Sequence, residues 1–337
     1  MTNFFAILAI LGAIPIVGWV FETCCAAFDQ CRRPGKIIKA NGQKIHAVVK
    51  GGRAEGHPAI ILDGGLSANS LAWPLVEAEL SKRYQTVSFD RAGHLWSPPG
   101  KRPRTAERNN TELLSLLKEL DIEPPYIYVA HSYSGFLARL FAAKHPDLVA
   151  GLVLPETSTT EVAALLMPDA AEFKGMRRSA FLARFGISRL WRMFAKGPDV
   201  PAGPLKDIVA AWSKMTATPR GEAAMHDELV TFMENGAQAD KVGSFGDLPL
   251  IVVASERAFS DFPVPVQMTR EEADALNVNT QKALCDLSTC SEFWIADKSG
   301  HEIPWDQPEI IVRAVDWAAV QWRSQQDGDD RDGKTPS

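Results

Sequence analysis

The chain is poor in the features that would place it outside ordinary globular proteins. It has only 5 cysteines in 337 residues, too few and too scattered for a disulfide framework. No Cys/His cluster has the spacing of a zinc site. Basic residues are not in excess: 36 Lys and Arg stand against 41 Asp and Glu, for a net charge of -5, which removes the electrostatic footprint of a nucleic-acid binder. No fixed-period repeat is present, so solenoids and propellers are excluded. Charge is absent altogether from Phe4 to Phe21, FFAILAILGAIPIVGWVF. A run of this length lies at the lower edge of a membrane-spanning helix, roughly 17–25 residues. It is expected to be a retained anchor. A cleaved signal peptide is the alternative, with a small-residue site near Cys25-Ala26-Ala27 but no basic residues before the run. Arg32, Arg33 and Lys36 follow it, which by the positive-inside tendency puts the following domain on the cytoplasmic side.

What is present is a repeated alternation of apolar strands and helices. Asn41-Gly42 between two β-prone runs is a hairpin signal. Ala59–Leu62, Thr86–Phe89, Tyr126–Ala130, Leu148–Leu154, Leu250–Ala254 and Glu292–Ala296 read as short, continuous apolar strands. Between them, helical spacing appears at Leu71–Leu80, Thr105–Leu120, Ser134–Lys144, Arg270–Leu287 and from Gln307 onward. Strands of this kind alternating with helices predict a mostly parallel sheet covered on both faces. From Thr160 to Asp240 the pattern becomes helical and rich in Met, Phe and Trp, among them Met167, Met176, Trp191, Met193, Trp212 and Met215. It reads as an inserted helical lid. The chain from Ser324 is polar and charged and is expected to be disordered.

One stretch carries chemistry: VAHSYSGFLARLFA, residues 129–142. It places Ser132 where a strand ends and a helix begins. A serine hydroxyl becomes a nucleophile when it is held exposed on a sharp turn beside a base. The tight turn demands small residues two before and two after it. Here these are Ala130 and Ser134, where glycines are usual, with Gly135 following. The candidate base is His301 in Lys298-Ser-Gly-His301, on a loop after the last strand and so at the same sheet edge. His131 is read as a packing residue and His94 as a candidate for the pocket lining. Backbone donors for a developing oxyanion are expected from Tyr133 and from Gly65 or Leu66 in Asp63-Gly64-Gly65-Leu66.

These segments, taken together, resemble the α/β-hydrolase superfamily. The similarity runs in order through ILDGGLSANSLAW, SFDRAGHLWS, the Pro-Arg-Thr at 103–105, YVAHSYSGFLARLFAAKHPDLVAGLVL and SGHEIPWDQPE, over roughly residues 37–322. The resemblance implies an α/β fold with a core of residues 37–159 and 241–322 and a helical lid at 160–240, while the uncharged apolar run makes 1–30 an anchor or signal segment and the polar composition makes 324–337 a disordered tail. It implies an acyl-cleaving enzyme, since relatives that open epoxides or remove halides carry an aspartate where Ser132 stands. It also implies a carboxylate to orient His301. The usual place, after the seventh strand, reads Ala254-Ser255-Glu256-Arg257, with Arg257 at the expected aspartate. Glu156, at the end of the sixth strand, is the first candidate, Glu256 the second, and Asp261 lies further along. The expected activity is a serine esterase, lipase-like or acting on small esters, needing neither metal nor cofactor. The alternatives are an amidase, a peptidase or a carbon–carbon bond hydrolase on the same fold, or an inert binding protein. Oligomeric state is not legible.

Overall fold

A computed structural model describes residues 2–28, 33–167, 170–194, 206, 210, 212, 216, 218–260, 264 and 267–331. Its centre is an eight-stranded sheet of β1 (Lys36–Ala40), β2 (Gln43–Lys50), β3 (Ala59–Asp63), β4 (Thr86–Asp90), β5 (Tyr126–Ala130), β6 (Val149–Pro155), β7 (Leu250–Ser255) and β8 (Ser291–Ala296). The strand order is β1-β2-β4-β3-β5-β6-β7-β8. β1 and β2 form the antiparallel hairpin expected around Asn41-Gly42, where both residues take positive φ, 48° and 75°, as a hairpin turn of this type requires. β2 pairs antiparallel with β4, and every pairing from β4 through β8 is parallel.

Every residue of β3, β4, β5, β6 and β7 is buried. This explains why these strands read as unbroken apolar runs, because helices cover both sides. On one face Ile61, Val87, Tyr128, Leu152 and Val252 pack with Leu113, Leu116 and Leu117 of α3 (Ala106–Glu119) and Phe141 of α4 (Ser134–Lys144). On the other, Ile60, Leu62, Val129, Val153 and Ile251 pack against Trp73, Val76 of α2 (Pro74–Leu80) and Ile311, Ala314 and Val315 of the last helix. Each fully buried side chain of this size contributes about 1.5–3 kcal/mol. The chain leaves β3 for β4 on one side and returns to β5 on the other. The carboxyl ends of β3 and β5 therefore flank a topological switch point, where an open parallel sheet leaves a crevice.

Between β6 and β7 the described residues are helical: α5 (Thr160–Leu166), α6 (Ala170–Leu182), α7 (Ile187–Phe194) and α8 (Pro219–Ala239). Met215 lies outside the described residues, as do the side chain of Met193 and Asp261. α8 starts as its sequence dictates, with Pro219 in the first turn and the Thr218 hydroxyl accepting from Gly221 N–H. α9 (Arg270–Ala283) begins with a full capping box between Thr269 and Glu272. It ends four residues before the expected Leu287, and Leu284–Leu287 tighten into a 3-10 turn.

One expectation needs correction. The final helix, α10 (Pro308–Arg331), continues past Ser324. Its polar end is not free: Gln325 Nε2 donates to the Asp247 carbonyl at 2.7 Å and Ser324 Oγ to Val320 O at 3.0 Å. The apolar N-terminal run does form a helix, α1 (Thr2–Phe28). The side chains of residues 1–12 lie outside the described residues, and among the described residues no helix is long and apolar enough to cross a membrane. The second half of α1 packs on the insertion. Gly18 lies so close to Phe185 that a Cβ there would meet its carbonyl oxygen at 2.5 Å. Buried Glu22 pairs with Arg189 at 2.9 Å.

Candidate active site at the carboxyl edge of the sheet

Ser132 sits between β5 and α4 with φ of +55°, a conformation that costs a non-glycine residue of order 1–3 kcal/mol and persists only where its surroundings enforce it. Three features enforce it. The Ser134 hydroxyl donates to the carbonyls of Asp63 at 2.8 Å and His131 at 2.9 Å, tying the turn to the end of β3. Gly135 N–H closes the turn on the Ser132 carbonyl at 3.0 Å. Gly135 itself is obligatory, since a Cβ there would fall 1.6 Å from Thr157 Oγ1. The serine at position 134, a departure from the usual glycine, thus has a structural use.

His301 follows β8 and brings Nε2 to 3.1 Å from Ser132 Oγ. Its Nδ1 faces Oε1 of Glu156 at 3.9 Å, within ion-pairing range but longer than a hydrogen bond. Of the candidate acids among the described residues, Glu156 is the one brought to the histidine. It follows β6 with φ of +44° and is 2% exposed. Its Oε2 accepts Ser255 N–H at 2.6 Å, and Oε1 accepts Asn277 Nδ2 at 2.7 Å and Gln281 Nε2 at 3.1 Å, both from α9. A buried carboxylate needs such donors to remain charged. Glu256 is exposed, and Arg257 follows it with its N–H on Ser255 Oγ.

The oxyanion candidates converge on the same serine. Gly65 is packed against it so closely that a Cβ would meet Ser132 Cβ at 2.9 Å. The backbone N–H groups of Gly65, Leu66 and Tyr133 make no hydrogen bond among the described residues. They are therefore free to receive a negative oxygen.

His131 is not a mere packing residue. Its Nε2 lies 2.9 Å from the His301 carbonyl. A carbonyl only accepts, so Nε2 carries the proton and Nδ1 does not. That Nδ1 is buried without a hydrogen-bond partner, and the residue lines the pocket. Burial, reinforced by repulsion from His301, pushes its pKa down to about 3, so the ring is neutral near pH 7. His94, expected as a possible pocket residue, is instead buried beside Glu228, with Nε2 at 3.2 Å from Oε1.

Behind the loop that carries Gly65 and Leu66 lies a charged cluster that the sequence did not reveal. Arg91, fully enclosed, donates to Asp63 Oδ1 at 2.5 Å, to the carbonyls of Gly64 at 2.7 Å and Gly65 at 2.6 Å, and to Glu228 Oε1 at 2.6 Å. Glu228 comes from α8 of the insertion and also accepts Ser67 N–H at 3.1 Å. Burial raises the Asp63 pKa despite Arg91. For Glu228 burial pushes the same way, but the charges of Arg91 and His94 overcome it and hold the carboxyl well below its ordinary value. One arginine thus serves two carboxylates, with Glu228 the firmly ionised partner. The insertion is thereby bonded directly to the loop that presents Gly65 and Leu66. The available signal was weak: Glu228, Thr231 and Asn235 recur at helical spacing on one buried stripe of α8.

The cavity over Ser132 has a volume of about 540 Å³, in the range of small-molecule sites. Its walls are mainly apolar, including Leu66, Val162, Leu166, Met167, Leu229 and Phe232. Among the described residues no group of three or more His, Cys, Asp or Glu side chains is arranged to hold a metal ion.

The family model described as "Alpha/beta hydrolase family" matches residues 60–314. Among curated proteins, the chain is 26% identical over 307 residues to "Probable transporter efuK" of Hormonema carpetanum, covering 86% of this chain but only 43% of that protein. It is 32% identical over 257 residues to "Uncharacterized protein YqjL" of Bacillus subtilis, covering 76% of this chain and 81% of that one. Among solved structures, a thermophilic esterase from Thermogutta terrifontis superposes with a TM-score of 0.60 at 18% identity, over 86% of this chain and 98% of the esterase. At that identity the likeness speaks for the fold alone.

Proposed function

The chain belongs to the alpha/beta hydrolase family, and on that premise we propose that it is a serine hydrolase cleaving esters with a lipophilic or small acyl group. The observation that carries this reading is the Ser132 Oγ–His301 Nε2 distance of 3.1 Å at a serine whose φ is +55°. In the proposed reaction, His301 Nε2 takes the proton of Ser132 as Oγ attacks the acyl carbon. Glu156 faces Nδ1 and stabilises the imidazolium that forms. The carbonyl oxygen, now negative, is received by the N–H groups of Tyr133 and of Gly65 or Leu66. His301 then returns the proton to the departing alcohol, leaving an acyl group on Ser132. Water, deprotonated by the same histidine, releases the acid and restores the serine. The apolar walls of the cavity suit an apolar acyl or alcohol group, with the helical insertion serving as a lid. The uncharged run at residues 4–21 and the outward apolar side chains Ile14, Ile16, Val17 and Trp19 of α1 support an enzyme held at a membrane by this helix.

The test is covalent labelling by a fluorophosphonate, which reacts with activated serines. Wild type should label, and Ser132→Ala and His301→Ala should not. A folded wild type that resists the probe would leave Ser132 a turn residue and favour a binding protein on a hydrolase fold. Turnover of matched esters, amides and carbon–carbon substrates then assigns the bond cleaved.

A further inference from the structure

The insertion carries a charge pattern unlike the rest of the molecule. Residues 170–194, AAEFKGMRRSAFLARFGISRLWRMF, hold six basic residues and a single acidic one, Glu172, in a chain whose net charge is -5. Lys174, Arg177, Arg178 and Arg184 are exposed. Interleaved with them are large apolar side chains that also face outward: Phe181, Leu182, Ile187, Leu190, Trp191 at 75% and Phe194 at 85% exposure. Soluble surfaces seldom leave such groups in one patch. A basic amphipathic helix with Trp, Phe and Leu on its other face has the composition of one that lies in a bilayer interface.

The patch continues onto α1. Phe21 covers Gly186, where a Cβ would come within 2.6 Å of the Phe21 ring. The adjoining Glu22–Arg189 pair is doubly bonded, with Nε and Nη2 each 2.9 Å from a carboxylate oxygen. Beyond these contacts, Ile14, Ile16, Val17, Trp19 and Val20 are all exposed. At 100° per residue these side chains point around most of the helix circumference. A protein groove or a second copy would cover one side of such a helix, whereas an apolar medium covers all of it.

We infer that α6, α7 and the turn between them form a peripheral binding surface for an anionic lipid bilayer. Trp191, Phe194, Leu190 and Ile187 enter the interface, and Lys174, Arg177, Arg178 and Arg184 meet lipid phosphates. This surface adjoins α1 but is formed by its own side chains, and it does not depend on the hydrolytic reading. Because Met176 of α6 also lines the cavity over Ser132, the bound insertion holds one wall of that cavity at the lipid surface.

The experiment is quenching of tryptophan emission by brominated lipids. Full-length protein is used with vesicles of phosphatidylcholine alone or mixed with phosphatidylglycerol, and wild type is compared with Trp191→Phe, Trp19→Phe and Arg177→Glu/Arg178→Glu. The expected result is a loss of quenched emission in Trp191→Phe. That Trp191 share should be larger in the anionic vesicles, fall with added salt and be lost in the charge-reversed variant. If Trp191→Phe leaves the quenched fraction unchanged while Trp19→Phe lowers it, α1 alone meets the lipid and the inference is overturned. Absence of quenching in wild type overturns it equally. Fluorophosphonate labelling of the same samples reports Ser132 independently, so failure of the surface and failure of the active site are distinguishable.

Discussion

Replacing Glu156 by Gln removes a charge and little volume, and its consequence can be worked from the geometry. The carboxylate lies 3.9 Å from His301 Nδ1. At that separation, with an effective dielectric of about 20, an imidazolium and a carboxylate attract by about 4 kcal/mol. The attraction exists only when the imidazole is protonated, so it lowers the barrier rather than strengthening substrate binding. Asn277, Gln281 and Ser255 already draw on the same carboxylate, which reduces what His301 receives. An effect of about 2–4 kcal/mol remains, a fall in kcat of roughly 30- to 1000-fold at 1.36 kcal/mol per decade, with KM little changed. The same variant must set an amide NH2 against donors that now point at an oxygen, at about 1–3 kcal/mol of stability. Thermal unfolding should therefore be measured beside steady-state hydrolysis of a chromogenic ester. Glu256→Gln is the matched control, because its side chain is exposed and activity should persist. A folded Glu156→Gln enzyme within about threefold of wild type, or a Glu256→Gln enzyme that loses activity, would refute this assignment of the acid.

Three further outcomes are expected. Arg91→Met strands Asp63 and Glu228 without their shared cation and should cost about 3–5 kcal/mol in denaturant unfolding, whereas an unchanged midpoint would show the cluster to be dispensable. His131 has a folded pKa of about 3 against about 6.5 unfolded. The unfolded chain therefore binds the extra proton, and stability falls as pH drops below 6.5. Between pH 7 and pH 4.5 this group should account for about 2.5 kcal/mol of lost stability, and His131→Asn should flatten the acid limb by that amount in chemical unfolding at each pH. Gly65→Ala brings a methyl within 2.9 Å of Ser132 Cβ, so the loop must shift. Losing one oxyanion donor typically costs about 10²–10³ in kcat, and an alanine enzyme with full kcat would remove Gly65 and its loop from that role.

Much of the architecture was legible before any coordinates. Periodicity located the strands, and an unbroken apolar run means burial on both faces whatever the tertiary detail. Asn41-Gly42 marked its hairpin because positive φ at two successive positions restricts the residues that fit. Ser132 was visible for a similar local reason: a sharp turn between a strand and a helix leaves a composition of small residues around it.

Other features were not legible, for reasons of distance along the chain. Nothing near Glu156 shows that Asn277 and Gln281, more than a hundred residues later, will donate to it. Choosing between Glu156 and Glu256 therefore required the sheet to place β6, β7 and the His301 loop side by side. The Arg91 cluster joins β3, the loop after β4 and a helix of the insertion, and its partners meet only when the fold brings them together. Even Ser134, an apparent deviation when read as sequence, is explained by a hydroxyl that reaches back to the Asp63 carbonyl. The sequence by itself determined the elements and the nucleophile candidate, because turn sterics and apolar periodicity are local. Tertiary structure alone decided which acid meets the histidine, what braces the oxyanion loop and where the N-terminal helix packs. Those depend on pairings across long stretches of chain, which only the closed fold brings within a few ångströms.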